Sequence, residues 1–413
     1  MIKEIVQSYA CSKCGLCIAA CPEKAISLSG DYSPDVDDKC TNCGICLEVC
    51  PRNELPFNEI KKNLNTVNFP KFEEELLGPY NRIVLAKTRN NEILKRCYSG
   101  GVTTEFLCFL LENGYIDSAL LTDREHNLSF CGHPVPFVAK TRDNIIKCAD
   151  TKPCVNPILA SLPADGDRVA FVGVSCHTEG IRKAQWLAEH GDKSKEICKH
   201  LIGNISYVIG LNCFFSFGRN GVDRLLAKVS LKEENIEKFF NWKGKPVARM
   251  HGGKEIVDFG DEEDFSNSNL GCFLCYPSYS AKLSDITFGK CISEEWGWND
   301  VIVRSEKCDN IISEMEEKGL ITIKAAENEK SEILEALLEA NVFEVDAVGY
   351  GGFLDTGKFE GSLPGTSPMP QQEGSSIKGI NRIRLIQAVR RDSFYKIATA
   401  ERKKRGIRNP ILK

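Results

Sequence analysis

The chain has 413 residues, of which 27% are charged and 42% are hydrophobic, and its formal net charge is −4. This near balance argues against a general nucleic-acid binder, and no apolar run approaches the eighteen or so residues of a membrane span. Twenty cysteines exceed what packing requires, so cysteine chemistry is expected in the function. Because the opening MIKEIVQSYA lacks the apolar core of a signal peptide, a cytoplasmic protein with reduced thiols is expected.

The first predicted unit is an internal duplication. CSKCGLCIAACPEKA at 11–25 and CTNCGICLEVCPRNE at 40–54 share the pattern Cys-x2-Cys-x2-Cys-x3-Cys-Pro. In such a run the first three thiolates bind one [4Fe-4S] cluster and the fourth binds the other cluster. The predicted ligands of the first cluster are Cys11, Cys14, Cys17 and Cys50, and those of the second are Cys40, Cys43, Cys46 and Cys21.

The duplicated unit is too short to enclose a core of its own. Its middle segment, ISLSGDYSPDVDDK, predicts short extended pieces and turns, and units of this size are held together by what they bind. A zinc ribbon is the alternative, but four cysteines per run with a trailing proline favour iron-sulfur clusters. The unit resembles a bacterial-type two-cluster ferredoxin over residues 9–54. A domain of residues 1–58 is therefore predicted, followed by a linker at 59–80.

From residue 81 onward the sequence alternates between strand and helix patterns. Strands are predicted for the segments RIVLAK, IDSALLT, RVAFVGVSC, YVIGLNC and LSDITFGK. Helices are predicted at Val102–Glu112, directly after RVAFVGVSC, after YVIGLNC, and around 307–318 and 328–340. Such alternation is typical of an α/β layer with a mostly parallel sheet. The predicted fold class is thus a small α+β ferredoxin domain followed by a larger α/β domain at 81–360.

Two segments follow the predicted α/β domain. Residues 361–377 are rich in Pro, Gly and Ser and predict a linker. Residues 378–413 carry twelve Lys/Arg against Asp392 and Glu401, which gives this predicted helical tail a charge of +10 and leaves −14 for the rest of the chain. The tail is either a solvated helix face without a specific role or a surface that attracts an anionic ligand or an acidic partner.

A third metal site is suggested by GCFLCYPS, which contains Cys272 and Cys275. The best candidates for two further ligands are Cys176 and Cys213, since both follow predicted strands whose carboxyl ends meet at one edge of a parallel sheet. From the spacing alone, a cluster, a zinc ion and inert buried thiols all remain open. A further alternative is that Cys176, beside His177, is a nucleophile.

The turn YSGGVTTEF is a candidate phosphate site. Ser99, Gly100 and Gly101 precede a predicted helix, so the bare N–H groups of its first turn would face a phosphate or pyrophosphate. The hydroxyls of Thr103 and Thr104 would be within reach. The alternative is a simple glycine turn without a ligand, because most Gly-Gly turns before helices are no more than that.

Four segments carry a resemblance to a known family. They are SGGVTTEFLCFLLENGYIDSALLT, DRVAFVGVSCHTEGIRKA, IGLNCFFSF and GCFLCYPSYSAKLSDITFGKCISEEWGWNDVIVRSE. In this order they resemble the coenzyme F420 hydrogenase/dehydrogenase beta-subunit family, from about Gly78 to Leu320. With a ferredoxin unit in front, the arrangement is most similar to the electron-input subunit of F420H2 dehydrogenases.

The resemblance implies bound FAD, a [4Fe-4S] cluster and hydride exchange with coenzyme F420, so that the larger domain is a flavin and iron-sulfur domain without a catalytic acid-base pair. FAD would contact Ser99, Gly100, Gly101, Thr103 and Thr104, and also Thr151 and Lys152, which match a Gly-Ser/Thr-Lys-Tyr segment of the family. The implied ligands of the third cluster are Cys176, Cys213, Cys272 and Cys275. In the tail, Arg390, Arg391, Arg402, Lys403, Lys404 and Arg405 could attract the phosphate and glutamate groups of coenzyme F420.

The chain also departs from the family pattern. It has GVSC where Gly-Thr-Pro-Cys is usual, Pro153 where tyrosine is usual, and Cys291 where a small residue is common. The first change keeps the cysteine thiol that the cluster would need. The second alters the flavin or deazaflavin pocket, which Lys152 and its neighbour help to shape in the family. Cys148 and Cys154 stand close enough to Lys152 that either could replace a predicted ligand.

Three functions follow from these patterns. The first is an F420-linked oxidoreductase that passes single electrons through three [4Fe-4S] clusters to or from a redox partner protein or complex. The second is an F420-independent, ferredoxin-linked flavin iron-sulfur reductase of another substrate. The third is a pure electron-transfer subunit. In each case the chain does not span a membrane or bind nucleic acid, and any contact with a membrane would be peripheral, through a partner complex.

Overall fold

The computed structural model describes residues 2–334, apart from 8–9, 63, 65–76, 125–132, 164–166, 214–215, 243–244, 253–255, 259–268, 274–279, 291–296, 327–329 and 331. Most of the helix predicted around 328–340 lies outside the described residues, as do the predicted linker at 361–377 and the basic tail at 378–413. Cys275 and Cys291 also lie outside them. None of the helices in the described part of the chain is long and apolar enough to cross a bilayer.

The duplicated unit folds as two short helical turns on either side of a small hairpin. Its elements are α1 (Ile2–Gln7), α2 (Leu16–Ala19), β1 (Ile26–Leu28), β2 (Pro34–Val36) and α3 (Ile45–Glu48). The two strands pair antiparallel, and α2 and α3 occupy equivalent positions in the two cysteine runs. Gly15, before α2, has φ 90°, a left-handed conformation that favours glycine.

Twelve helices and thirteen strands are described in all. The remaining helices are α4 (Phe57–Lys62), α5 (Asn91–Arg96), α6 (Val102–Glu112), α7 (Arg142–Lys147), α8 (Ser175–His190), α9 (Lys195–Ile202), α10 (Gly221–Lys228), α11 (Leu270–Phe273) and α12 (Glu306–Glu317). The remaining strands are β3 (Arg82–Thr88), β4 (Ser118–Arg124), β5 (Pro134–Ala139), β6 (Val169–Val174), β7 (Ile205–Leu211), β8 (Ile236–Trp242), β9 (Lys245–Met250), β10 (Ile256–Asp258), β11 (Ile286–Phe288), β12 (Asn299–Val303) and β13 (Ile321–Ala325).

An eight-stranded mixed sheet in the order β13-β3-β12-β11-β7-β6-β4-β5 forms the centre of the larger domain. Strands β4, β6, β7 and β11 pair parallel to one another, and β3 runs in the same direction, whereas β5, β12 and β13 are antiparallel to their neighbours. The predicted α/β class is confirmed, but the sheet is mixed, whereas the sequence predicts a mostly parallel one. Three of its seven strand pairings are parallel and four are antiparallel, because β5, β12 and β13 join it in the opposite direction. Strands β8, β9 and β10 form a separate antiparallel sheet.

Two apolar cores lie on opposite faces of the central sheet. On one face α6, α7 and α12 bury their apolar sides, and Phe106 packs against Phe288 with ring centroids 5.4 Å apart. On the other face α8 and α9 pack against β6 and β7. The ferredoxin-like unit contributes Leu16, Ile45 and Val49 to this second core, so the two domains share a hydrophobic interior.

Close backbone contacts hold the ferredoxin-like unit against the larger domain. The Leu159 N–H donates to the Cys14 carbonyl at 2.9 Å. A Cβ placed on Gly15 would lie 2.6 Å from the Pro157 carbonyl oxygen, so only glycine allows this approach. Trp186 on α8 donates its indole N–H to Glu59 at 3.0 Å. The unit is therefore fixed on the sheet through α8 and the 3-10 turn at Ile158–Ser161.

Candidate functional site

The first cysteine set surrounds a cavity of about 380 Å³, counting its open mouth. Cys11, Cys14, Cys17 and Cys50 all line this cavity. Burial, together with the nearby Cys50 thiol, raises the pKa of the Cys14 thiol to about 11. Burial likewise raises the pKa of Cys17 well above its usual value, with added contributions from Cys14, Cys11 and Cys50. The structure thus places the last cysteine of the second run beside the first three of the first run.

This cavity has the donor set that a cluster requires. The Lys13 N–H points at the Cys11 sulfur at 3.4 Å. Burial raises the pKa of Cys50, and the charge of Lys183 and the backbone N–H groups of Arg52 and Asn53 oppose that effect. Desolvated thiols of this kind stay protonated at neutral pH unless a cation such as iron displaces the proton. Hydrogen bonds to the sulfurs are a usual feature of iron-sulfur sites, so the residues fit a [4Fe-4S] cluster.

The second cysteine set lies nearer the surface. Burial raises the pKa of Cys46, and the thiols of Cys43 and Cys40 are among the groups that act on it. Cys21, from the first run, packs in the same apolar cluster as Cys46, and its sulfur accepts the Ala25 N–H at 3.3 Å. All four cysteines of this set are half-buried, and both residues between Cys40 and Cys43 are exposed. This set therefore faces solvent more than the first.

A single metal ion needs ligands that lie closer together than the ligands of a cluster. Within the described ranges no three Cys, His, Asp or Glu side chains are close enough together to hold one metal ion. A [4Fe-4S] cluster binds each thiolate to a different iron, so its ligands are spaced more widely than those of one ion.

Two of the four cysteines predicted for the third site lie just beyond the carboxyl edge of the sheet, and a third contacts the segment that follows one of them. Val174 and Leu211 are paired residues at the ends of β6 and β7, so Cys176 and Cys213 each lie two residues beyond neighbouring strand ends. The Ser216 N–H, in the segment after Cys213, donates to the Cys272 sulfur at 3.4 Å. Cys275 lies outside the described residues.

His177 does not support the nucleophile alternative for Cys176. Its side chain is buried, and this burial lowers its pKa to about 4, while a hydrogen bond with the Asn156 backbone acts in the opposite direction. The imidazole is therefore neutral at neutral pH. A neutral ring cannot stabilise a Cys176 thiolate by its charge.

The third site touches the first cysteine set directly, which the sequence patterns did not predict. Asn269 donates its side-chain N–H to the Cys11 carbonyl at 3.2 Å. Gly271, next to Cys272, packs so closely on the same backbone that an added Cβ would lie 2.6 Å from the Cys11 carbonyl carbon. One ligand candidate of the third site and one of the first are therefore joined through backbone contacts.

The candidate phosphate turn lies at the same edge of the sheet, after β3. Asn299 organises it: its amide nitrogen donates to the Ser99 hydroxyl at 2.8 Å, and its carbonyl oxygen accepts the Val102 N–H at 3.0 Å. The prediction of bare N–H groups in the first turn is therefore wrong for Val102, because a side chain 197 residues away uses that donor. Thr103 is half-buried and Thr104 is buried.

A polar network extends from Asn299 along this edge and was also missed from the sequence. Asn299 donates to the Gly289 carbonyl at 2.6 Å, and Asn212, beside Cys213, donates to Asp300 at 2.7 Å. Asp300 is fully buried. Asparagine and aspartate at strand ends are ordinary turn residues in a sequence, so only their position identifies them.

The segment around Lys152 approaches the third site through its backbone. Cys154 forms a parallel bridge with Phe217, so the Thr151–Lys152 segment lies near the chain that follows Cys213. The Lys152 ammonium donates to the Cys148 and Asp150 carbonyls. Cys154 is buried beside Phe217 in an apolar cluster.

We expect Asn299→Ala to lower the free energy of unfolding by about 1–3 kcal/mol and to weaken the retention of the FAD that the family resemblance implies. The substitution leaves the buried Val102 N–H and the Gly289 carbonyl without a partner. Chemical denaturation and the flavin-to-protein ratio after gel filtration are the measurements. Asn113→Ala is the matched control, because Asn113 bonds the Phe109 carbonyl at the other, exposed end of the same helix. Equal losses in the two variants would contradict this role of Asn299.

Three family descriptions match successive parts of the chain. Residues 10–54 match a 4Fe-4S dicluster domain. Residues 83–163 match the N-terminal part of the coenzyme F420 hydrogenase/dehydrogenase beta subunit, and residues 166–329 match its C-terminal part. The last two matches together cover more than half of the chain.

Individual relatives agree with these matches. A coenzyme F420-dependent sulfite reductase of Methanocaldococcus jannaschii is 30% identical over 334 residues, which cover 79% of this chain and 49% of the relative. The chain thus spans about half the length of that relative. A coenzyme F420 hydrogenase subunit beta of Methanothermobacter thermautotrophicus is 27% identical over 62% of this chain and 88% of the relative.

A solved structure supports the fold. A chain of the F420-reducing [NiFe] hydrogenase complex from Methanosarcina barkeri superposes with a TM-score of 0.57 at 23% identity, over 67% of this chain and 94% of that chain. At this identity the likeness concerns the fold alone.

Proposed function

Because the chain belongs to the coenzyme F420 hydrogenase/dehydrogenase beta-subunit family and carries a 4Fe-4S dicluster domain in front, we propose that it exchanges hydride with coenzyme F420 and passes single electrons through three [4Fe-4S] clusters. The family places it among F420-linked iron-sulfur oxidoreductases. FAD as the flavin, the number of clusters and the acceptor are parts of the proposal.

The observation that carries the proposal is the contact between Cys11 and the segment of Asn269 and Gly271. It joins the first cysteine set to the segment of Cys272, whose sulfur accepts the N–H of Ser216 in the segment after Cys213. An electron relay needs cluster sites that lie close together, and this backbone contact provides a direct connection between two of them.

The flavin would lie at the same edge, near the turn after β3. When bound, FAD supplies the exchange between a hydride and single electrons. Ser99 accepts a hydrogen bond from Asn299, so its own hydroxyl hydrogen stays available for a phosphate oxygen. Gly100 and Gly101 allow this turn to pack closely on β3 and Asn299. The other proposed contacts of FAD are Gly100, Gly101, Thr103, Thr104, Thr151 and Lys152. The role of these residues is to bind and orient FAD, since hydride transfer needs no acid-base pair.

The cysteines would hold the relay in a fixed order. We propose that the third cluster is held by Cys176, Cys213, Cys272 and Cys275, the first by Cys11, Cys14, Cys17 and Cys50, and the second by Cys40, Cys43, Cys46 and Cys21. The first set is the more buried, and the second faces solvent. The second cluster would therefore be the exchange point with a redox partner protein.

Oxidation of F420H2 tests the proposal. Anaerobically purified, cluster-loaded protein with a viologen acceptor should restore the absorbance of oxidised F420, and NADPH should not replace F420H2. Inactivity of a protein that contains both flavin and clusters would instead support the F420-independent reductase. Clusters without flavin would support the pure electron-transfer subunit.

A further inference from the structure

A buried lysine of the larger domain reaches the first cysteine set. Lys183 lies on α8 with only 4% of its surface exposed, and its ammonium donates to the Cys50 carbonyl at 2.7 Å. Among the described residues, no carboxylate lies in ion-pair contact with it; Glu48 and Glu54 act on it at longer range. The cation is therefore enclosed beside Cys50 without a direct counter-ion from an acidic side chain.

A buried ammonium is unfavourable unless negative charge compensates it. The ordinary pKa of a lysine lies far above neutral pH, and the hydrogen bond from the ammonium to the Cys50 carbonyl stabilises the charged form. Glu48 and Glu54 supply negative charge only at longer range, whereas the thiolates of a bound cluster would supply it directly beside the ammonium. The cluster would then be the missing counter-ion, and each electron it accepts adds one more negative charge beside Lys183.

The second cysteine set has a corresponding lysine in a different environment. Lys193 donates to the Cys43 carbonyl at 3.1 Å, which is the same kind of contact as that of Lys183 with Cys50. Lys193, however, is exposed, and water and salt screen an exposed charge. Arg52 adds a further asymmetry, because it is 1% exposed and its cation acts on Cys14 and Cys50.

We propose that Lys183, together with Arg52, makes the cluster of the first cysteine set more readily reduced than the cluster of the second. The inference rests on the proposed function, since it assumes that both clusters are present. An electron that the third site supplied to the first cluster would add negative charge beside the Lys183 ammonium, which would keep its proton. Lys183 thus acts through its charge, which favours reduction of the first cluster, and it does not touch the substrate.

The test is a redox titration followed by electron paramagnetic resonance on the full, anaerobically loaded chain. Lys183→Met removes the charge and keeps most of the side-chain volume. We expect the equilibrium constant for reduction of one cluster to fall about tenfold. For one electron this is a decrease of about 59 mV in its reduction potential. Lys183→Arg, which keeps the charge, should restore the wild-type position. Lys193→Met is the matched control and should change the equilibrium constant for reduction of the second cluster by less than about threefold.

The outcomes separate a charge effect from a structural one. Loss of iron from Lys183→Met but not from Lys183→Arg would also support the proposal, because the charge and not the size would then be required. Full iron content with every transition unmoved in Lys183→Met would overturn it, and so would equal iron loss in both variants or equal shifts in Lys183→Met and Lys193→Met. F420H2 oxidation by the wild-type protein is measured separately. Its failure would remove the proposed substrate while the titration still decides the role of Lys183.

Discussion

Cys50→Ala is expected to remove the cluster of the first cysteine run, although Cys50 belongs to the second. The iron content should fall from about twelve to about eight atoms per chain. Viologen reduction by F420H2 should fall at least about tenfold, because the relay loses its middle step. The reason is the cavity in which Cys50 faces Cys11, Cys14 and Cys17.

A buried cysteine that is not a proposed ligand provides the control for this variant. Cys198 on α9 is fully buried in the core that α8 and α9 form with the sheet. Cys198→Ala should keep all the iron and should lower the free energy of unfolding by only about 1 kcal/mol. Iron analysis and paramagnetic resonance of both variants are the measurements. Retention of about twelve irons by Cys50→Ala would contradict the crossed ligand set.

The second large effect is expected for Gly271→Ala. An added Cβ would lie 2.6 Å from the Cys11 carbonyl carbon and 3.2 Å from the Ala10 carbonyl oxygen. These are backbone atoms that cannot rotate away, so the ferredoxin-like unit must shift. Such overpacking costs about 1–3 kcal/mol. Reduction of the flavin by F420H2 should persist, whereas reduction of the ferredoxin-type clusters should slow at least about tenfold, since small displacements have large effects on function.

Stopped-flow spectroscopy separates the two steps, because flavin and cluster absorbance change differently. Gly30→Ala is the control, since no atom lies within 4 Å of a Cβ added there. It should leave both rates unchanged. If Gly271→Ala reduced its clusters at the wild-type rate, electrons would have to reach the ferredoxin-like unit by another route.

Local patterns predicted those parts of the molecule that local interactions determine. The spacing of the cysteine runs indicated two clusters, and the dicluster family match agrees with that reading. The helix at Val102–Glu112 has the predicted ends, because a left-handed glycine begins it and an Asn-Gly pair ends it. Strands β3, β4, β6, β7 and β11 each overlap one of the segments predicted as strands, although β11 covers only three residues of its segment.

Contacts between distant segments could not be predicted in this way. Lys183 meets Cys50 across 133 residues of sequence, and Asn269 meets Cys11 across 258 residues. In the sequence, Lys183 is the single lysine of a predicted helix, and nothing local indicates that its ammonium contacts the ferredoxin-like unit. The antiparallel strands β5 and β12 were also not predicted. PVPFVA contains two prolines, and NDVIV is buried throughout and lacks the alternation typical of a half-exposed strand.

Anaerobic titration of the loaded protein with F420H2 tests the central claim most directly. It follows the flavin by its visible absorbance and the clusters by paramagnetic resonance in the same samples. We predict that F420H2 reduces the flavin and that signals from reduced [4Fe-4S] clusters then appear, with about twelve irons and one FAD per chain. Material that holds only about eight irons and no flavin, or loaded clusters that stay oxidised in excess F420H2, would contradict the account.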